Sequence, residues 1–429
     1  VCCSSLERSR FPRRSLCPSC DWVYLPRRPP SSATLLTLAY EDSDIRYTYR
    51  DALVESLRST GELKVGQLHL LMSKSLGFCW GVDRALAMVK DACKEYPDRP
   101  KWLLSSLIHN PKVNEDMLKL GIGFLRGPLA VQGAYETLSE KDVVIVPAFS
   151  ARVEDMEALN AQGVTLVDTT CPWVIKPHRR AQRYIKEGFT TVIHGTVGHD
   201  ETLSTCSLVE NSGGQYLVVH DKMETQSLAG FLRGDLTGVE LMKWLHRDAA
   251  LPGFDPDAHL KKVGIINQTT MLATESREIG DMIQAALLQR DGEEGLQESF
   301  RDFDTICRAT QDNQDAAMEA VEGNPDLYLV VGGYDSSNTK NLARVGDNRS
   351  ILSYHIEGAE CLQEVITHRD RATGDILQIA DWLPSARPIK VAFSAGASTP
   401  DTILGAVVRR IAELVGEPLP AFEEPTPQT

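Results

Sequence analysis

The sequence predicts an α/β protein built largely on parallel sheets. Three observations carry that expectation. Short apolar runs alternate with helix-like stretches from Val65 onward, the ends of those runs are rich in small hydroxyl, amide and imidazole residues, and three distant cysteines each stand where a strand or loop passes into a helix. The cysteines are Cys79 in Gly-Phe-Cys-Trp-Gly-Val-Asp, Cys171 in Asp-Thr-Thr-Cys-Pro-Trp and Cys307 in Asp-Thr-Ile-Cys-Arg-Ala-Thr. This repetition reads as three similar units, each offering one thiolate. Three thiolates meeting at one point are one ligand short of a structural zinc or a closed iron–sulfur cluster. A metal centre held in that way keeps one position free for substrate.

Strands are expected at 68–72, 102–107, 142–147, 190–193, 215–219, 263–266, 327–331 and 389–393, with helices at 84–96, 153–159, 179–186, 275–288 and 316–322. The strand ends run into His109-Asn, Phe149-Ser, His194-Gly-Thr-Val-Gly-His199-Asp-Glu201, Asn267-Gln-Thr-Thr270, Gly332-Gly-Tyr-Asp-Ser336-Ser-Asn338 and Ser394-Ala-Gly-Ala-Ser398. In open parallel sheets ligands gather at the carboxyl ends of strands. Residues of these types let short donors and backbone amides come close to an anion. The stretch 230–261 reads as a surface insertion, and the Pro- and Glu-rich segment after Gly416 as a mobile tail.

The 429 residues, 42% hydrophobic and 24% charged, suit two or three ordinary domains. No apolar run reaches the ~18 residues of a membrane helix, so no membrane role is expected. The net charge of −14, without a basic stripe, argues against a nucleic-acid partner. An anionic substrate would therefore need a local pocket inside an acidic molecule. Ten cysteines are too few for a disulfide scaffold, and Cys93 and Cys361 read as ordinary thiols rather than ligands. The first forty residues hold Arg8, Arg10, Arg13, Arg14, Arg27 and Arg28 against only Glu7 and Asp21. That composition is expected of an organellar transit segment, and half of a zinc ribbon at Cys17 and Cys20 is the weaker reading. No Walker motif is present, and Gly195-Thr-Val-Gly198 lacks dinucleotide-site spacing, so a redox reaction would draw its electrons from outside. At this level an open iron–sulfur site competes with a non-redox 4Fe–4S hydro-lyase or quinolinate-synthase-like enzyme. It also competes with a zinc-stapled binding protein that adds His109 or His199 to the cysteines.

Seven motifs in order narrow the choice: Gly77-Phe-Cys-Trp-Gly-Val-Asp-Arg84, Ile108-His-Asn-Pro111, Val167-Asp-Thr-Thr-Cys-Pro-Trp173, Gly198-His-Asp-Glu201, Asn267-Gln-Thr-Thr270, Ser336-Ser-Asn338 and Ala395-Gly-Ala-Ser-Thr-Pro-Asp401. From Val65 to Val415 the chain resembles the 4-hydroxy-3-methylbut-2-enyl diphosphate reductase family, in its plant and cyanobacterial form. The resemblance implies three α/β domains in a pseudo-threefold arrangement around a central iron–sulfur cluster. It places them at 65–170, 171–303 and 304–400, after a leader and extension at 1–64 and before a C-terminal helix and tail at 401–429.

It further implies that Cys79, Cys171 and Cys307 hold a 4Fe–4S cluster with one open iron. Glu201 would be the proton donor, with Thr269 relaying or orienting that proton. His109, His199, Ser336, Ser337, Asn338 and Ser398 would bind the diphosphate of an allylic substrate, reduced to isopentenyl and dimethylallyl diphosphate. A ferredoxin-type electron donor, met by a basic patch at His178-Arg179-Arg180, and a plastid location (cytoplasmic in a cyanobacterial source) complete the expectation. A homodimer is possible, but the sequence does not give the oligomeric state. Phe149 stands where the bacterial branch has a histidine, and Asp335 places a carboxylate beside the expected anion site.

Overall fold

The computed structural model describes residues 49–347, 351–371 and 373–422. Its strands form three sheets, and the parallel pairing expected from the sequence runs through two of them and the middle of the third. One sheet has the order Ile122–Phe124, Lys101–Leu103, Val143–Val146, Thr165–Asp168, and a second the order Phe300–Asp302, Val263–Asn267, Thr190–His194, Tyr216–Val219. Both are parallel throughout. Their central strands are buried at every position, as in Val-Val-Ile-Val at 143–146, because helices cover both faces. Each such Val or Ile contributes about 1.5–3 kcal/mol by leaving water.

The third sheet has seven strands, in the order Glu62–Val65, Leu68–Met72, Ile389–Ala395, Leu327–Val331, Ser353–Ile356, Val365–Arg369, Ile376–Ala380. It is parallel in the middle and antiparallel at both edges. This sheet divides the chain differently from the expected boundaries. Leu68–Met72, assigned to the first unit, pairs with Ile389–Ala395 near the other end of the chain. Its alternating side chains, Leu68, Leu70 and Met72, join a core that includes Leu327, Leu329, Val331, Val391 and Phe393 of the C-terminal strands.

The extension expected to end at 64 is also folded from residue 49 on. Asp51 caps the helix Ala52–Thr60 by accepting from the Leu53 and Val54 amides, and Leu53, Val54 and Leu57 are buried against Leu404, Val408 and Ile411. Arg409 closes on Asp51 at 2.6 and 3.2 Å. The C-terminal helix Asp401–Val415 therefore belongs to the third unit, and Leu419 and Phe422 still pack on the same core. Likewise 230–261 is more than a surface insertion: Leu241, Leu245, Ala249 and Leu260 are buried in the second core. The leader at 1–48, including Cys17 and Cys20, lies outside the described residues. Among the described residues no helix is long and apolar enough to cross a membrane.

Candidate active site

Each of the three cysteines caps a helix. Cys79 precedes Trp80–Glu95, Cys171 precedes Pro172–Lys186, and Cys307 precedes Arg308–Glu322. Two contacts bring the units together. A side-chain carbon added at Gly81 would lie 2.7 Å from Cys171 Sγ and 3.7 Å from Cys79 Sγ, so only glycine lets the first helix approach the second thiol. Arg84, one turn further, donates to the carbonyls of Thr169 and Thr170 at 3.2 Å and clamps the loop that carries Cys171.

Cys307 joins the same place, since its electrostatic environment includes both Cys79 and Glu201. Its Sγ accepts the Thr310 N–H at 3.3 Å and lies 3.1 Å from Thr310 Oγ1. Burial raises all three thiols, Cys307 to about 11. Helix N-termini favour thiolates, but here desolvation outweighs them, and a cation is needed to ionise the set. Among the described residues no three His, Cys, Asp or Glu side chains converge tightly enough to share a single ion. Cys361 lies elsewhere, in the third core, with its Sγ 3.7 Å from Tyr334 Oη.

Glu201 is 1% exposed, on the first turn of Asp200–Asn211. Thr269 donates to it twice, from its amide to Oε1 at 2.6 Å and from its hydroxyl to Oε2 at 2.9 Å. Those bonds favour the carboxylate, but burial outweighs them and pushes the acid up to about 7. Both Cys171 and Cys307 feel its charge, and the Thr269 carbonyl accepts the Cys307 N–H at 3.1 Å. Acid and thiols thus form one neighbourhood.

The imidazoles come next. Asn110 caps Pro111–Lys119 by accepting from the Val113 amide, and Asn114 holds the carbonyl of Ile108 and the amide of Leu107, so the loop that presents His109 is locked on both sides. His199 caps its own helix: its Nδ1 accepts the Glu201 N–H at 3.2 Å, which leaves the proton on Nε2. The two rings meet edge to face, 5.0 Å apart. Both Nε2 atoms are buried, with no hydrogen-bond partner among the described residues. Burial holds both rings below the ordinary histidine range, His199 well below. Both rings are held neutral, and His199 presents an N–H at Nε2. Phe149 lies flat on His109, with centroids 4.0 Å apart and planes 15° apart. It packs the ring face and leaves the Nε2 edge free.

The remaining expected ligands lie on the third unit. Ser336 Oγ accepts from the Thr339 amide at 3.2 Å at the start of Ser337–Asp347, and Ser337 and Asn338 follow on its first turn. Asn338 Oδ1 accepts the Ala397 N–H at 3.0 Å, which ties this helix to the loop that carries Ser398. The Ala397 carbonyl in turn accepts the Cys79 N–H at 3.2 Å. A side-chain carbon at Gly333 would meet the His109 carbonyl at 2.6 Å, so the third unit abuts the first there. A cleft of about 520 Å³ opens beside the imidazole pair, lined by His109, His199, Arg126, Asp200, Asp335 and Lys340 among others.

Some expectations change. His178 is not part of a surface patch: it is held by Ser204 at 3.2 Å, and burial lowers it to about 4. Arg180 instead lies 3.5 Å over the Phe303 ring, with Lys176 shared between Phe303 and Trp173. Asp335 is exposed and lines the cleft. Sequence reasoning missed Lys340 and passed over Arg84, although Arg84 closes the first cysteine motif.

A family model described as LytB protein matches residues 70–412. The 4-hydroxy-3-methylbut-2-enyl diphosphate reductases of Synechococcus sp. (strain WH7803) and Gloeobacter violaceus are each 39% identical to the chain, over 87% of it and over 92% and 89% of their own lengths. The solved E-1-hydroxy-2-methyl-but-2-enyl-4-diphosphate reductase from Plasmodium falciparum overlays with a TM-score of 0.58, covering 81% of this chain and 88% of that one. At 19% identity, that likeness speaks to the fold. A match across most of its length, with relatives well over a third identical, places this chain in the LytB family.

Proposed function

We propose that the protein reduces 4-hydroxy-3-methylbut-2-enyl diphosphate to isopentenyl and dimethylallyl diphosphate, the terminal step of the methylerythritol phosphate route. The observation that carries the reading is the position of Glu201. It is a buried acid whose charge is felt by two helix-capping thiols on one side, while its own backbone N–H donates to the His199 ring on the other.

The donor set fits a 4Fe–4S cluster. Three partly buried thiols on three helix N-termini, raised by desolvation and sensing one another's charge, need a cation to ionise. Cys79, Cys171 and Cys307 would hold it. When bound, it supplies electrons one at a time and a Lewis-acidic iron with a free position.

Loss of the allylic hydroxyl as water needs a proton at that oxygen, and two electrons and one further proton complete the product. Glu201 holds a proton near neutrality because it is buried, and its Oε2 faces the Thr269 hydroxyl, along which the proton can be exchanged. His109 and His199 offer uncharged N–H donors to the diphosphate. Ser336, Ser337 and Asn338 add a helix N-terminus.

Electrons would arrive from a ferredoxin-type carrier. The basic, aromatic face of Trp173, Lys176, Arg180 and Phe303 beside Cys171 supports its docking there, in place of the patch centred on His178. Lys176→Glu with Arg180→Glu should raise the KM for ferredoxin at low salt and leave turnover with a small viologen donor unchanged; equal loss with both donors would reject that face. The Arg- and Ser-rich leader supports a plastid location, or the cytoplasm of a cyanobacterial source. Anaerobic purification and addition of the hydroxy diphosphate with a reductant test the function itself. A brown protein that consumes two electrons per product is expected. A cluster-bearing protein that converts the substrate with no electron demand would overturn it.

A further inference from the structure

The diphosphate carries about two to three negative charges near neutrality, yet nearly every donor assigned to it is uncharged. The two imidazoles are neutral, and the serines and Asn338 contribute only dipoles. Three cations line the cleft. Arg126 is forked onto Asp155, and Arg152 is exposed. Lys340 differs from both. It lies one turn into the helix Ser337–Asp347, its amide donating to the Ser336 carbonyl at 3.0 Å, so it shares the helix end that carries Ser336, Ser337 and Asn338. Its side chain is half-buried, and its charge is felt by both His109 and His199. Among the described residues no hydrogen bond or ion pair engages its ammonium, and exposed Asp335 is the nearby group that favours its charge. A partly desolvated ammonium without an acceptor is unfavourable, and an anion in the cleft would relieve it.

We propose that Lys340 is a ligand of the substrate's diphosphate, supplying the formal positive charge that the paired imidazoles lack, and that Asp335 steadies the ammonium until the anion arrives. This rests on the reading of the cleft beside His109 and His199 as the diphosphate site. It also accounts for two features otherwise unexplained: a carboxylate next to an anion site, and an anion site in which Phe149 occupies a place open to a further donor. The exchange is electrostatic. The ammonium, only weakly favoured by a water-exposed carboxylate, gains a more highly charged, less exposed phosphate oxygen.

The test uses the cluster-loaded enzyme, with inorganic pyrophosphate as a probe in calorimetry and the hydroxy diphosphate in steady-state assays. Lys340→Met should weaken pyrophosphate binding about tenfold to hundredfold, the effect of one charge-assisted bond. It should raise KM to a similar extent while kcat stays within about threefold, and the loss should shrink as salt rises. Lys340→Arg should recover most of the affinity, and Asp335→Asn should tighten pyrophosphate binding a few-fold. Iron content and visible spectrum should match the parent in every variant. Unchanged pyrophosphate affinity in Lys340→Met, or an arginine variant as weak as the methionine one, overturns the assignment. His199→Asn separates the two levels. If it weakens pyrophosphate binding while Lys340→Met does not, the cleft stands and the lysine falls; if neither matters, the diphosphate site itself is wrongly placed.

Discussion

The thiol side and the imidazole side of the site meet at Glu201 and answer burial in opposite ways. Desolvation raises Cys79, Cys171 and Cys307 and lowers His109 and His199, so each set is driven to its neutral form. The thiols can ionise only against a cation placed among them. The imidazoles, held neutral, can meet an anion only as hydrogen-bond donors. One kind of environment thus prepares two adjoining places for opposite charges. Glu201, pushed up to about 7 by the same burial, stands between them and can change state near neutral pH.

The sharpest way to break that comparison is to remove one thiol. Cys307→Ser should lose most cluster iron and essentially all turnover, because serine gives a poorer ligand and only two thiols remain. Cys361→Ser, in the third core, should keep both. Iron counts and visible absorption decide it. Equal iron in the two variants would mean that helix-capping position has nothing to do with metal binding.

Next in size is Glu201→Gln, which keeps the shape and removes the proton. Turnover should fall about 10²- to 10⁴-fold, the usual worth of a placed general acid, with iron content intact. The pH dependence has a definite sign. Only protonated Glu201 can donate, so the parent's rate should decline as pH rises through about 7, and the residual rate of the variant should lack that limb. Stability follows the same linkage. The folded acid keeps a proton that the unfolded chain loses above its ordinary value of 4.5, so this group's contribution is fully present below 4.5 and lost as pH rises through about 7. The amount at stake is about 3 kcal/mol. A glutamine variant with the parent's pH–rate limb would assign the titration to another group.

Much of this site was legible because chemistry and local structure coincide in the sequence. Cys79, Cys171 and Cys307 each stand directly before a helix, and strand–loop–helix punctuation marks such positions without tertiary information. The strand ends at His109, His199 and Ser336 were readable for the same reason. What escaped depends on distant pairing. Nothing local says that Leu68–Met72 belongs with Ile389–Ala395, or that Asp51 meets Arg409, because those partners are joined only by the closed fold. His178 sits in a run of basic residues, yet its helix turns it inward onto Ser204 while Arg180 lies over Phe303. Lys340 was passed over because a lysine inside a helix reads as a solvated cation until the cleft beside it is seen.

The smallest expected effect concerns how the imidazole side keeps its geometry with Phe149 in place of a further donor. Phe149 makes no hydrogen bond from its ring; it packs flat on His109 and so fixes which edge of the imidazole faces the cleft. A stacked aromatic pair is worth about 0.5–1.5 kcal/mol beyond its buried area, which corresponds to a factor of roughly two to ten. Phe149→Leu, which keeps apolar volume and loses the flat face, should therefore raise KM a few-fold with little change in kcat, since neither the thiols nor Glu201 is touched. Phe149→His would test the alternative directly. If a donor at this position matters more than the stack, the histidine variant should bind pyrophosphate more tightly than the parent. If orientation of His109 matters more, the two rings stack comparably and affinity should barely change. A large kcat loss in Phe149→Leu with KM preserved would contradict the division drawn here, because the imidazole side would then be acting on the reaction step rather than on anion binding.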